Sequence, residues 1–166
     1  MESHATITWR PDLLISGGQT GADMGGLRAA HDVGIATGGI APAGFRTEKG
    51  AHPALGYLYG LLESDSPDYA VRTIDNVKMA DAVILVTCMT SPGSRLTKQI
   101  AFQYSKPLFE VGFPRRDAWE PYRAVEDCRA WLLRIRPSIL MIAGHRESVA
   151  PGICEWTRNF LLKVFS

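Results

Sequence analysis

The sequence predicts an α/β fold, one domain in which a mainly parallel sheet of about five or more strands carries helices on both faces. Three observations lead there. Short, continuously apolar runs stand at 13–16, 82–87, 107–111 and 138–143, with a weaker one at 35–37, as strands buried on both faces require. Segments of helical period lie between them at 23–33, 68–80, 96–104, 121–135 and 151–165, so strand and helix alternate. The 166 residues contain no internal repeat, no low-complexity tract and no shift of composition, which leaves 1–166 as a single ligand-binding domain.

The first run, Leu13-Leu14-Ile15-Ser16, passes directly into Gly17-Gly18-Gln19-Thr20-Gly21 and a helix opening near Asp23. That order suits an anion: glycine admits close backbone approach, Thr20 offers a hydroxyl and the helix N-terminus a favourable dipole. A tight turn that binds nothing reads the same way. A triphosphate-binding P-loop is disfavoured, because Ala22, Asp23 and Met24 stand where Lys and then Ser or Thr belong. Gly17, Gly18 and Gly21 also miss the spacing G-x-G-x-x-G of dinucleotide binding.

After the weak run, residues 38–53 have no period of either kind, and an irregular stretch of that length is commonly functional. Within it Phe45, Arg46, Thr47 and Glu48 either cover a ligand or form a solvated excursion. On the helix at 68–80, Arg72 and Asn76 share a face that Ala70, Ile74 and Val77 do not, a pair suited to a base or ribose or simply to solvent. The run at 82–87 leads into Thr90-Ser91-Pro92-Gly93-Ser94-Arg95-Leu96-Thr97. The helix at 121–135 repeats Val125, Cys128, Leu132 and Ile135, and the last one repeats Ile153, Trp156, Phe160, Leu161 and Val164; both stripes belong to a core. Pro121 and Pro151 sit where a helix can begin without losing a needed N–H. The run at 138–143 leads into Gly144-His145-Arg146-Glu147-Ser148.

If the strands are parallel, the three loops that begin near Gly17, Thr90 and Gly144 share one edge, where open parallel sheets bind ligands. Two carry arginine, and Arg95 and Arg146 suit phosphate or carboxylate oxygens. The candidate ligand-binding set is therefore Gly17, Gly18, Gln19, Thr20, Gly21, Asp23, Phe45, Arg46, Glu48, Arg72, Asn76, Thr90, Gly93, Ser94, Arg95, Thr97, His145, Arg146, Glu147 and Ser148. No residue is assigned a catalytic role, since neighbours such as His145, Glu147 and Ser148 rarely face one another as a triad must.

Eighteen basic residues against seventeen acidic ones give a formal charge of +1, too weak a field to draw nucleic acid. Cys88, Cys128 and Cys154 are odd in number and widely spaced, which speaks against disulfides and for a reducing, cytoplasmic setting. His4, His31, His52 and His145 lack the spacing of a zinc site, so no metal ligands are expected. No signal-like leader precedes residue 11 and no apolar run approaches membrane-spanning length. A homo-oligomer is expected, with Trp9, Trp119, Trp131 and Trp156 either lining a subunit contact or filling the core.

Several segments together resemble the molybdenum-carrier family, close to the YpsA group within the SLOG superfamily of Rossmann-like proteins. They are 15–23, 39–50, Arg72-Thr73 with Asn76-Val77, Asp81-Ala82-Val83-Ile84-Leu85 and 143–148. Family members usually carry arginine where this chain has Met24, proline where it has His145, and Gly-Gly-Thr where it has Pro92-Gly93-Ser94. The resemblance implies a Rossmann-like fold and a nucleotide-derived or other phosphate-bearing ligand that is carried, sensed or sequestered. A molybdenum cofactor, which bears a phosphate, is implied by the family label alone. Related phosphoribohydrolases of the LOG type place a glutamate shortly after the second loop; here Leu96-Thr97-Lys98-Gln99 follows and no carboxylate stands there. An enzyme is thus disfavoured, although a nucleotide phosphoribohydrolase-like hydrolase using Glu48 or Glu147 is kept as an alternative.

Overall fold

Strand β1 (Leu13–Ile15) is followed by helix α1 (Ala22–Asp32) and strand β2 (Ala36–Gly38) in the computed structural model, which describes residues 9–114 and 121–166. Then come β3 (Ile40–Ala41), a 3-10 turn (Ala43–Phe45), β4 (Arg46–Thr47), β5 (Gly50–Ala51), α2 (Ala54–Tyr57) and β6 (Leu62–Glu63). Helix α3 (Tyr69–Met79), β7 (Ala82–Thr87), α4 (Pro92–Gln103), β8 (Leu108–Gly112), α5 (Pro121–Ile135), β9 (Ile139–Gly144) and α6 (Ile153–Val164) complete the order.

The five main strands form one parallel sheet in the order β2-β1-β9-β7-β8, a Rossmann-like α/β fold. Its central strand is the last in the chain. Because successive side chains of a strand face opposite ways, Leu14, Ile84, Val86, Leu140 and Ile142 join one core with α1, α5 and α6. Ile15, Val83, Leu85, Met141 and Ala143 join the other with α3 and α4. Helices α1 and α6 approach to backbone contact, since a Cβ on Gly25 would stand 2.3 Å from the Cys154 carbonyl oxygen. Among the described tryptophans, Trp9, Trp131 and Trp156 all pack on the first core. Trp119 and His4 lie outside the described residues.

Two expectations need correction. The stretch 38–53 is built, not irregular: β3 pairs with β6, and β4 with β5 in a short hairpin. Helix α4 begins at Pro92, not at 96, because Ser91 caps it in a reciprocal pair with Ser94 and Pro92 supplies a ready first turn. Gly93, Ser94 and Arg95 are therefore helical. Among the described residues no helix is long and apolar enough to cross a membrane.

Candidate functional site

The carboxyl ends of β7 and β9 open into a cavity of about 430 Å³. Leu85, Met141 and Ala143 line it from the sheet. Gln19 and Asp23 come from the first loop and α1, Tyr69, Arg72 and Thr73 from α3, Ser91 through Thr97 without Arg95 from α4, and His145, Arg146 and Val149 from the third loop. All three loops thus reach one hollow, as a single strand direction requires.

Asp23 and Arg72 form a buried ion pair in its wall, Nη1 to Oδ2 at 3.3 Å. Burial raises the Asp23 carboxyl pKa above its ordinary value, opposed by the Arg72 charge and by the amides of Gln19 and Gly17. Arg72 is only 9% exposed, and its Nε is buried without a partner. Its guanidinium carbon stands 5.8 Å from the Tyr69 ring centroid. A Cβ on Gly17 would meet Nη1 at 1.6 Å, so a larger residue there would displace the Arg72 side chain from this position.

The amides of the first loop do not form the open anion cradle that its glycines suggest. Gly18 N–H donates to Ser16 Oγ at 3.2 Å, Gln19 N–H to Asp23 Oδ2 at 3.1 Å, and Thr20 N–H to Gln19 Oε1 at 3.0 Å. Ala22 N–H donates to the His145 carbonyl at 3.1 Å, and Gly21 holds that contact with φ of 83°, where a Cβ would stand 2.3 Å from the same oxygen. The loop is stitched to its neighbours by its own donors. His145 is buried likewise, Nε2–H donating to the Met89 carbonyl at 3.0 Å.

Glu48, on the turn between β4 and β5, joins the loops from the other side. Its carboxylate accepts from the hydroxyls of Thr20 and Ser148, and from Ser148 N–H at 3.2 Å. Burial tends to raise its pKa, but these donors and the charge of Arg146 outweigh that and hold it below the ordinary value. Glu147 is used differently: its oxygens accept from Gly152 N–H at 2.6 Å and Cys154 N–H at 3.1 Å, capping α6. Glu48 lines neither this cavity nor a second one, and Glu147 lines only the second.

The remaining candidates scatter. Asn76 is fully buried and exchanges two hydrogen bonds with the Ile40 backbone, at 2.9 and 2.8 Å, so its amide is committed to β3 rather than offered to a base or ribose. Phe45 packs on Gly56, and Gly18 on Leu55 and Leu61. Phe45, Arg46, Thr90 and Arg95 do not line the cavity. Sequence reasoning missed Tyr69, Thr73, Val149 and the sheet residues Leu85, Met141 and Ala143; only Ser91, three residues before Ser94, carried a readable signal, that of a helix cap.

A second cavity of about 520 Å³ lies across the loops, lined by Thr20, Gly21, Met24, Arg28, Thr47, Lys49, Ala51, His52, Glu147, Cys154 and Glu155. Among the described residues no group of three His, Cys, Asp or Glu side chains is placed to hold a metal ion.

A family model described as the circularly permutated YpsA SLOG family matches residues 14–165. A solved structure, named a "putative molybdenum carrier protein" from Syntrophus aciditrophicus SB, superposes with a TM-score of 0.83 at 34% identity, over 93% of this chain and 94% of the other. No curated protein matches the sequence significantly.

Proposed function

Since the chain belongs to the circularly permuted YpsA family of SLOG proteins, we propose that it binds a phosphate-bearing, nucleotide-derived small molecule in the cavity at the ends of β7 and β9. One observation carries this reading: a buried guanidinium in the cavity wall, already paired once with Asp23, keeps its Nε without an acceptor. A buried donor left unpaired costs free energy, and a phosphate oxygen is the acceptor that guanidinium geometry suits best. The N-terminus of α4 faces the same space, where its dipole favours an anion. Tyr69 adds a flat ring against which a heterocycle can lie. A volume of 430 Å³ lies within the range of small-molecule sites, roughly 300–1,000 Å³.

A second reading, a carrier of the molybdenum cofactor, is favoured by the name of the Syntrophus protein. The donor set fits that group through its phosphate, which Arg72 would hold. The metal would then be carried through the ligand, since among the described residues no group of three His, Cys, Asp or Glu side chains is placed to hold it. On either reading the protein carries, senses or sequesters its ligand.

Arg72→Lys tests the proposal, because lysine keeps a charge for Asp23 and deletes the free Nε donor. We expect AMP to bind the native protein in calorimetric titration and the variant to bind at least tenfold more weakly, a loss of about 1.5 kcal/mol or more. Equal affinities would remove Arg72 from the site and the reading with it. Native mass spectrometry of the purified protein, weighing any retained ligand and the assembly together, separates the nucleotide from the cofactor and tests the expected homo-oligomer.

A further inference from the structure

We infer that Thr20 and Ser148 form a second oxyanion seat, which the protein fills with its own Glu48 carboxylate until a phosphate group displaces it. Three donors converge on that carboxylate: the Thr20 hydroxyl, the Ser148 hydroxyl and the Ser148 N–H at 3.2 Å. The Thr20 donor is itself oriented, since its Oγ accepts from Glu147 N–H at 3.1 Å and turns its hydrogen to Glu48. Donors held in place by the fold and aimed at one pair of anionic oxygens make a seat for an oxyanion in general.

The position of the seat gives it a use. Thr20 lines the second cavity and its neighbour Gln19 the first, so the Thr20 side of the seat stands between the two, while Ser148 on its other side is exposed. Its occupant is attached to a two-stranded hairpin, β4 paired with β5, whose turn residue Lys49 is exposed. A carboxylate spreads one negative charge over two oxygens, whereas a phosphate brings about −1.5 to −2 over three. The phosphate therefore competes for the same donors, and on winning them it frees the Glu48 side chain from the first and third loops, leaving the hairpin turn held to the first loop by Glu48 N–H on Gln19 Oε1 at 2.9 Å. This inference rests on the chain being an anion binder, but not on Arg72 or on the first cavity.

Calorimetric titration with inorganic phosphate tests it. Glu48→Ala should bind phosphate at this seat roughly tenfold or more tighter than the native protein, whose own carboxylate competes there, and Glu48→Ala with Ser148→Ala should lose that gain. Equal phosphate affinity in the native protein and Glu48→Ala would overturn the inference. If the cavity reading fails instead, Arg72→Lys leaves AMP binding unchanged while the gain of Glu48→Ala in phosphate affinity remains. Repeating the titration with AMP identifies the source: a larger gain than with the free ion means that the seat takes the phosphate of a ligand, an equal gain that it takes phosphate itself. Should Glu48→Ala not fold, tryptic cleavage of the native protein after Lys49 reads the same event. Cleavage should quicken as phosphate rises, and a rate that ignores phosphate would overturn the displacement.

Discussion

Two carboxyls on either side of the first loop are tuned in opposite directions, and the signs of their linkage differ. Burial raises Asp23 above its ordinary 3.8, so the folded state holds that proton more tightly than the unfolded chain. Its contribution favours folding below 3.8 and is lost as pH rises through the folded value. Burial acts the same way on Glu48, but the hydroxyls of Ser148 and Thr20, the Ser148 amide and the Arg146 charge prevail and lower it below 4.5. Its contribution is present above 4.5 and disappears as pH falls through the folded value. Urea unfolding at a series of pH values should therefore find Glu48→Gln less stable than the native protein near neutrality, with the gap closing on acidification. A gap that stays constant with pH would show that Glu48 contributes no titrating interaction. Thr20, Glu48 and Ser148 were each legible as candidates in the sequence, yet their joint role was not. The contacts link positions 28 and 100 residues apart, and no local period encodes such a pairing.

Among the elements, β1, β7 and β9 were legible as short apolar runs buried between helices, and the edge strands β2 and β8, only partly buried, as weaker versions of the same signal. The pieces β3 to β6 were not, since a strand of two residues is too short to show alternation. Helix α4 shows a third case. Pro92 and Gly93 read as loop by composition, but Ser91 accepts from Ser94 N–H at 3.1 Å and Ser94 Oγ accepts from Ser91 N–H at 2.9 Å, which fixes the start of the helix. This cap also sets the wall of the first cavity, where Ser91, Ser94 and Thr97 all stand. Ser91→Ala should cost about 1 kcal/mol, lowering the melting temperature by roughly 2–4 °C. Scanning calorimetry measures it, and an unchanged melting temperature would mean that packing alone holds the first turn.

For the whole molecule, the decisive fact is that β1 and β7 do not pair with each other. Each pairs with β9, the last strand of the chain, so the β2-β1 and β7-β8 halves of the sheet are joined only through it. Central pairing must therefore wait on contacts between residues near 14 and residues near 140, and closing so long a loop slows folding. The ends of the described fold lie together, Arg10 Nη2 donating to the Phe165 carbonyl at 3.2 Å. A rearranged chain is thus geometrically open to the same fold: start at Pro137, run through β9 and α6, cross by a short glycine-rich linker from Ser166 to Trp9, and end at Arg136. In that chain β9, α6 and β1 follow one another as a local crossover between neighbouring parallel strands, the connection such sheets favour. The permutant should keep the native circular dichroism spectrum, and stopped-flow refolding should be faster where the β1–β9 pairing limits folding, because that pairing becomes local while the β7–β9 pairing becomes more remote. Refolding at the native rate would mean that the β1–β9 pairing does not limit folding, and that the β7–β9 pairing, the β7-β8 half or the 38–63 segment sets the barrier instead.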